Sequence, residues 1–281
     1  MQQKFTLFLS FFLVFVARVG VAQQGDYSTK MMLKHPFKGI MEVIGGVGVT
    51  YYQGDLRESP FKNLELGPNV AIGLTYRLGN RISARTELRL YNVGGSQVGS
   101  KKTQNNLRFR TTNPDGYLGL QIDLFKFTDH RDLNFYAFAG VGMTHLNPKA
   151  KLDDKWYSLA KYKTEGVAYP QNVMIGTGGL GAVYRYNHVL NFGVELSGTY
   201  VNSDYLDDVS TTYQGFSNPN DISARLADPK IDLGLVPNSP GFIRGNPKNK
   251  DVYIILSLRA SHIIGSSRRA IARKRTQCTK P

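Results

Sequence analysis

The sequence predicts an all-β protein: an eight-stranded antiparallel transmembrane β-barrel of the outer-membrane kind, with short periplasmic turns and long external loops. Three observations predict it. An export leader opens the chain, the remainder is a series of segments alternating between apolar and polar residues, and short connections alternate with long ones. Hydrophobic residues make up 41% of the 281. Beyond the leader, however, no run approaches the roughly 18 to 20 apolar residues of a spanning helix. A bundle of membrane helices is therefore excluded.

The leader is read from Lys4 as a short basic region, Phe5 to Val16 as a mostly apolar stretch, and Gly20, Val21 and Ala22 as a small-x-small cleavage site before Gln23. Residues 1–22 are thus expected to be a signal peptide and 23–40 a periplasmic N-terminal segment. The barrel is expected over 41–264, and 265–281 form a basic periplasmic tail.

The first strand, about Met41 to Tyr52, sets Met41, Val43, Val47, Val49 and Tyr51 against Glu42, Ile44, Gly46, Gly48 and Thr50. The second sets Val70, Ile72, Leu74, Tyr76 and Leu78 against Ala71, Gly73, Thr75 and Arg77, and turns at Gly79 and Asn80. The third carries the clearest signal: Ile82, Ala84, Thr86, Leu88 and Leu90 alternate with Arg81, Ser83, Arg85, Glu87 and Arg89. One face is oily and the other ionic. The fourth places Leu118, Leu120, Ile122 and Leu124 opposite Gly119, Gln121 and Asp123. The fifth, about Asn134 to Leu146, is too uniformly apolar and small for its faces to be assigned.

The sixth strand spans about Val173 to Tyr186 and turns at Asn187 and His188. The seventh alternates Leu190, Phe192, Val194, Leu196 and Tyr200 with Asn191, Gly193, Glu195, Ser197 and Thr199. The eighth, about Asp251 to Ile263, alternates Val252, Ile254, Leu256 and Leu258 with Tyr253, Ser257 and Arg259. Long loops then cover roughly 53–67, 92–110, 147–171 and 201–250, and both termini lie in the periplasm.

Energy orients the faces, because an Arg facing lipid near the midplane costs about 2 to 4 kcal/mol whereas a polar lumen satisfies it. Glu42, Arg77, Arg85, Glu87, Arg89, Asp123, Glu195 and Arg259 are therefore expected to point inward as an ionic ladder. A barrel of about eight strands is just wide enough for side chains to fill, so a plug is expected rather than a pore. A soluble lipocalin-type barrel would invert these faces. The Gly-rich inner faces, the ionic alternate face and the large loops at one end oppose that alternative.

The motifs that suggest chemistry are weak. Gly176, Gly178, Gly179 and Gly181 match a dinucleotide fingerprint, but that motif requires a strand-to-helix turn, and here the flanks continue as strand. His35, His130, His145, His188 and His262 lack metal-ligand spacing, and no cofactor or metal is expected. Asp204, Asp207 and Asp208 suit either a calcium site or the turn-capping role common to Asp, and capping is favoured. His145 falls near the outer rim without an evident nucleophile. A net charge of +14 would raise nucleic-acid binding, but export argues against it, and no small-molecule substrate is indicated. The lone Cys278 has no intramolecular partner. It sits in a tail bearing Arg268, Arg269, Arg273, Lys274, Arg275 and Lys280 with no acidic residue. The tail reads either as a solvated end or as a docking segment for an acidic partner, with Cys278 available for an intermolecular disulfide.

One resemblance stands beside these readings. The run Ser203, Asp204, Tyr205, Leu206, Asp207, Asp208, Val209, Ser210 with Tyr213, the run Arg244, Gly245, Asn246, Pro247 followed by Asp251 to Tyr253, and Trp156 to Leu159 with Thr164 to Gly166 resemble the PorG-like family of Bacteroidota outer-membrane barrels. The resemblance covers roughly 37–264. It implies a non-enzymatic barrel of the type IX secretion system that contacts periplasmic ring proteins, a lipoprotein and its partner, from a seat among outer-membrane lipid and lipopolysaccharide. Two other classes stay open: a rim enzyme acting on lipid or lipopolysaccharide, and a passive adhesion or stability barrel.

Overall fold

A computed structural model describes residues 40–56, 65–97, 103–129, 131–187, 189–248 and 250–264. The expected leader, N-terminal segment and basic tail, with Arg268, Arg269, Arg273, Lys274, Arg275 and Cys278, lie outside the described residues.

Eight long strands form the wall: β1 (Met41–Gln53), β2 (Leu66–Arg77), β3 (Ile82–Ser96), β4 (Arg108–Asp123), β5 (Leu133–His145), β8 (Asn172–Arg185), β9 (Leu190–Val201) and β10 (Val252–Ile264). Two short strands between β5 and β8, β6 (Lys149–Leu152) and β7 (Lys155–Ser158), make a hairpin that joins β4 where Arg110 meets Lys149. Each wall strand pairs antiparallel with its neighbours, and β1 pairs with β10 from Met41 opposite Ile264 to Gln53 opposite Val252. The sheet is thereby closed and its wall has no free edge.

The two faces separate as the alternation requires. Ile72, Leu88, Leu118, Leu180 and Leu258, from five different strands, are each 60% or more exposed, while Arg85, Glu87 and Glu195 are at most 2% exposed. Oily side chains outside and charged ones inside are the arrangement that lipid dictates and water forbids. From Leu124, the residue after β4, back to Pro114 the outward residues are apolar. Ten residues at about 3.4 Å each, tilted about 40°, give roughly 26 Å of height, close to the roughly 25 Å apolar band of such barrels. Strand β5, whose faces the sequence leaves open, points Tyr136, Phe138 and Thr144 inward.

The short connections are tight. At the β2–β3 turn the amides of Leu78 and Gly79 both donate to the Ile82 carbonyl, and at the β8–β9 turn the Asn187 side-chain oxygen accepts from the amides of Val189 and Leu190. The long loops hold more structure than expected. β3 and β4 extend past the apolar band to Ser96 and from Arg108, so their loop is shorter than the predicted 92–110. The segment 147–171 contains the β6–β7 hairpin, and 201–250 contains a short helix, α1 (Ile222–Ala227).

Candidate functional site: a plugged lumen under a loop cap

The middle of the lumen is a four-membered ionic ring. Arg85 on β3 donates to Glu195 on β9 through both terminal nitrogens, at 2.7 and 2.9 Å, and to Glu87 at 2.8 Å. Arg259 on β10 closes the ring, donating to Glu195 at 2.9 Å and to Glu87. Each guanidinium thus touches both carboxylates and each carboxylate both guanidiniums. Tyr136 adds a hydrogen bond to Glu195 at 2.6 Å, and the Arg85 guanidinium lies 4.1 Å from the Phe138 ring centre. Charges this deeply buried persist only when paired and hydrogen-bonded.

Toward the long loops, Arg89 donates to Asp115 at 2.7 Å and to Thr199 at 3.2 Å, and the Tyr253 hydroxyl also donates to Asp115. Tyr91 stacks on Tyr253 with ring centres 4.1 Å apart. Toward the short turns, Arg77 pairs with Asp123 at 2.8 Å, and Glu42 accepts from Ser261 at 3.2 Å. A cavity of about 60 Å³ remains there beside Glu42, Arg77, Asp123 and Arg185, room for a few waters rather than a passage.

All eight predicted lumen residues lie inside the wall, but they do not form one set. Arg85, Glu87, Glu195 and Arg259 make the central ring, Arg77 and Asp123 a separate pair, and Arg89 pairs with Asp115, which the sequence reading missed. Glu42 makes no recorded ion pair among the described residues. The Gly176 to Gly181 motif is mid-strand on β8, and its last glycine faces inward: a Cβ on Gly181 would strike the ring of Tyr136. That glycine makes room for the tyrosine that steadies Glu195.

Above the lumen, an apolar layer of Tyr52, Val93, Phe109, Ile175, Leu206 and Val209 is sealed by the long loops. Most of the residues that carry the family resemblance converge here, whereas Trp156 lies exposed on the β6–β7 hairpin. Arg244, 4% exposed, reaches Glu165 at 3.0 Å and Asp208 at 3.6 Å. Glu165 also accepts from the amides of Ser210 and Thr211, both at 2.9 Å. Asp208 takes further hydrogen bonds from Thr164 and from Tyr169, the latter at 2.6 Å. It occupies the left-handed region at φ 66°, which Asp tolerates better than most residues. Asp207 accepts from Tyr52 and from the Val209 amide, and Asp251 from the Leu206 amide at 3.0 Å. Tyr205 stacks on Tyr169 at 4.2 Å, and the Asn246 amide, next to Gly245 and before Pro247, donates to Asp55.

The carboxylates of Asp207 and Asp208 are thus engaged with donors of the chain itself. Among the described residues no group of three or more His, Cys, Asp or Glu is arranged to hold a metal ion. Burial pushes the carboxyls of Asp207 and Asp208 up, and burial together with Asp55 and Glu165 raises Asp204 to about 7. His145, the residue on which a rim-enzyme reading turns, faces outward and hydrogen-bonds Asn172 at 2.7 Å.

These features define a class: a closed transmembrane β-barrel of the outer-membrane type, with an ion-paired lumen and a cap folded from its long loops. No family model matches the chain, and no curated protein does. Solved structures with a similar course include Neisserial surface protein A (9% identity over 79% of this chain and 96% of that one, TM-score 0.42). Others are the outer membrane protein OprG of Pseudomonas aeruginosa (14%, 82% and 98%, 0.40) and Ail of Yersinia pestis in complex with a heparin analogue (11%, 81% and 99%, 0.38). The assignment of the barrel rests on the strand pairing and the division of its faces.

Proposed function

We propose that this protein is a structural anchor of the outer membrane, a non-enzymatic component of the type IX secretion system whose contacts lie with the periplasmic ring proteins. The observation that carries the anchoring reading is the central ring of Arg85, Glu87, Glu195 and Arg259. It fills the lumen at mid-height, so work done by this barrel belongs to its ends and outer surface. The family-resembling residues support the finer assignment because they build one cap. Glu165, Asp208 and Arg244, far apart in sequence, depend on one another for burial, as expected of a motif kept for architecture. The hydrogen bond from His145 goes to an amide rather than to a Ser or Asp, which weighs against the rim-enzyme reading.

Co-purification tests the proposal. The full-length chain is expected to bring down the ring lipoprotein and its partner, and deletion of 266–281 to abolish this while leaving heat-modifiable gel migration intact. Ring proteins retained by the truncated chain would remove the tail from the role, and none retained by either form would remove the secretion assignment. Non-reducing gels of wild type against Cys278→Ser test the disulfide: an unchanged band pattern excludes it.

A further inference from the structure

The outer surface changes character along β3 and β4. The last outward apolar pair is Leu90 opposite Pro114. The next outward pair is Asn92 and Thr112, whose side chains hydrogen-bond at 2.7 Å. The strands then continue with Gly94 opposite Arg110 and Ser96 opposite Arg108, and both arginines are exposed because Phe109 and Thr111 take the inner face. Each outward step is two residues, roughly 7 Å along the strand and about 5 Å in height. Arg110 thus stands about 5 Å and Arg108 about 10 Å above the polar Asn92–Thr112 pair, at and just above the headgroup layer that flanks the hydrocarbon, and both side chains are long enough to reach back down to it.

The β6–β7 hairpin widens this face. Lys149 lies opposite Arg110, Lys151 is two residues further on the same side, and Trp156 lies opposite Lys151 and is 53% exposed. Two acids approach. Asp154 pairs with Lys151 at 2.7 Å, and the Glu65 carboxyl lies beside Gly94. Arg108, Arg110 and Lys149 form no ion pair among the described residues, and Arg108 is oriented by Asn106 at 3.2 Å.

We propose that Arg108, Arg110, Lys149 and Lys151, with Trp156 beside them, form a shelf that binds the phosphate groups of an outer-leaflet lipid. Membrane lipids carry their phosphates at this depth, and the shelf is continuous with the lipid-facing wall, so the ligand is delivered by the bilayer itself. Adjacent guanidiniums suit the planar, two-pronged recognition that phosphate oxygens invite, and an interfacial Trp is at home at that level. The assignment of the leaflet rests on the long loops being external.

The test uses the full chain purified in neutral detergent. Binding is measured by native mass spectrometry with bis-phosphorylated lipid A, with the same lipid dephosphorylated, and with inorganic pyrophosphate. The phosphorylated lipid is expected to bind at least about tenfold more tightly than the dephosphorylated one. That preference should vanish in R108Q/R110Q/K149Q/K151Q and persist in the loop control K230Q/K248Q. Equal binding of the two lipids, an unchanged preference in the quadruple variant, or pyrophosphate binding as tightly as the lipid would each overturn the proposal. Heat-modifiable migration checks that the quadruple variant folds, and R110Q/K149Q serves if it does not. Orientation is checked separately by maleimide labelling of Lys163→Cys in a Cys278→Ser background. Labelling only after cell rupture would overturn the outer-leaflet assignment and with it the proposal.

Discussion

Arg85 and Glu195, on strands β3 and β9, grip each other through two parallel hydrogen bonds of 2.7 and 2.9 Å. These strands are not neighbours in the wall, so the contact ties opposite sides of the barrel directly, independent of the backbone ladder.

Removing one partner should be severe. Arg85→Ala leaves Glu195 and Glu87 sharing a single guanidinium, and loss of one member of a buried pair costs about 3 to 5 kcal/mol. The denaturant midpoint in detergent should fall accordingly, read as loss of the compact gel form. The double variant R85L/E195L, which leaves fewer stranded charges, should recover part of the loss; no recovery would mean that packing rather than charge dominates.

Gly181→Val tests the space reserved for Tyr136. The added side chain meets the tyrosine ring, and overpacking of this kind costs about 1 to 3 kcal/mol. Tyr136→Phe, which removes only the hydroxyl, should cost less than the valine, on the order of 1 to 2 kcal/mol. A valine variant as stable as wild type would show that the ring can swing aside.

Arg244→Ala should loosen the cap without opening the wall. It strands Glu165 and Asp208, both at most 2% exposed. Limited proteolysis within 201–250 should accelerate at least tenfold while gel migration of the compact barrel is retained. Loss of both together would show that cap and wall unfold as one unit.

The cap should also respond to pH. Folding raises the Asp204 carboxyl from its ordinary 3.8 to about 7, so the folded cap favours the protonated form. That contribution is present in full below about pH 4 and is lost as pH rises through about 7. Hydrogen exchange of the Leu206 to Ser210 amides, corrected for intrinsic rates, should therefore be faster at pH 8 than at pH 5. Asp204→Asn should flatten the difference; a variant with the same pH slope would assign the effect elsewhere.

The wall was legible because one period-two pattern runs through six of the strands and burial obeys it. Strand β5 was not, because Ala137 and Ala139 face out while Gly140 and Gly142 share the inward face of Tyr136 and Phe138, and residues this small carry no side preference. Asp115 was lost for a different reason. Asn113, Pro114, Asp115 and Gly116 are the residues of a turn, yet they continue β4 because β3 pairs with all four and β5 with the last two. Extending the parity back from Gly119 would have found it. The β6–β7 hairpin turns on Asp153 and Asp154, at φ 44° and 62°, a weaker signal than the Asn-Gly or Asp-Gly such turns prefer. The Asp204 to Ser210 run was recognised as a motif, but the role of Glu165 as its common acceptor depends on contacts between distant loops that no local pattern encodes.

The seam between β1 and β10 has a consequence for biogenesis. The first strand to be made must wait for the last, so through most of assembly the sheet keeps two unsatisfied edges and an uncovered charged surface, both invitations to mispairing with other chains. The Arg259 contact with Glu87 cannot form until that seam closes, and the ladder is rich in long-range pairings of the kind that slow folding. Closure therefore comes last, and until then the unfinished sheet offers both edges to any chain able to pair with them.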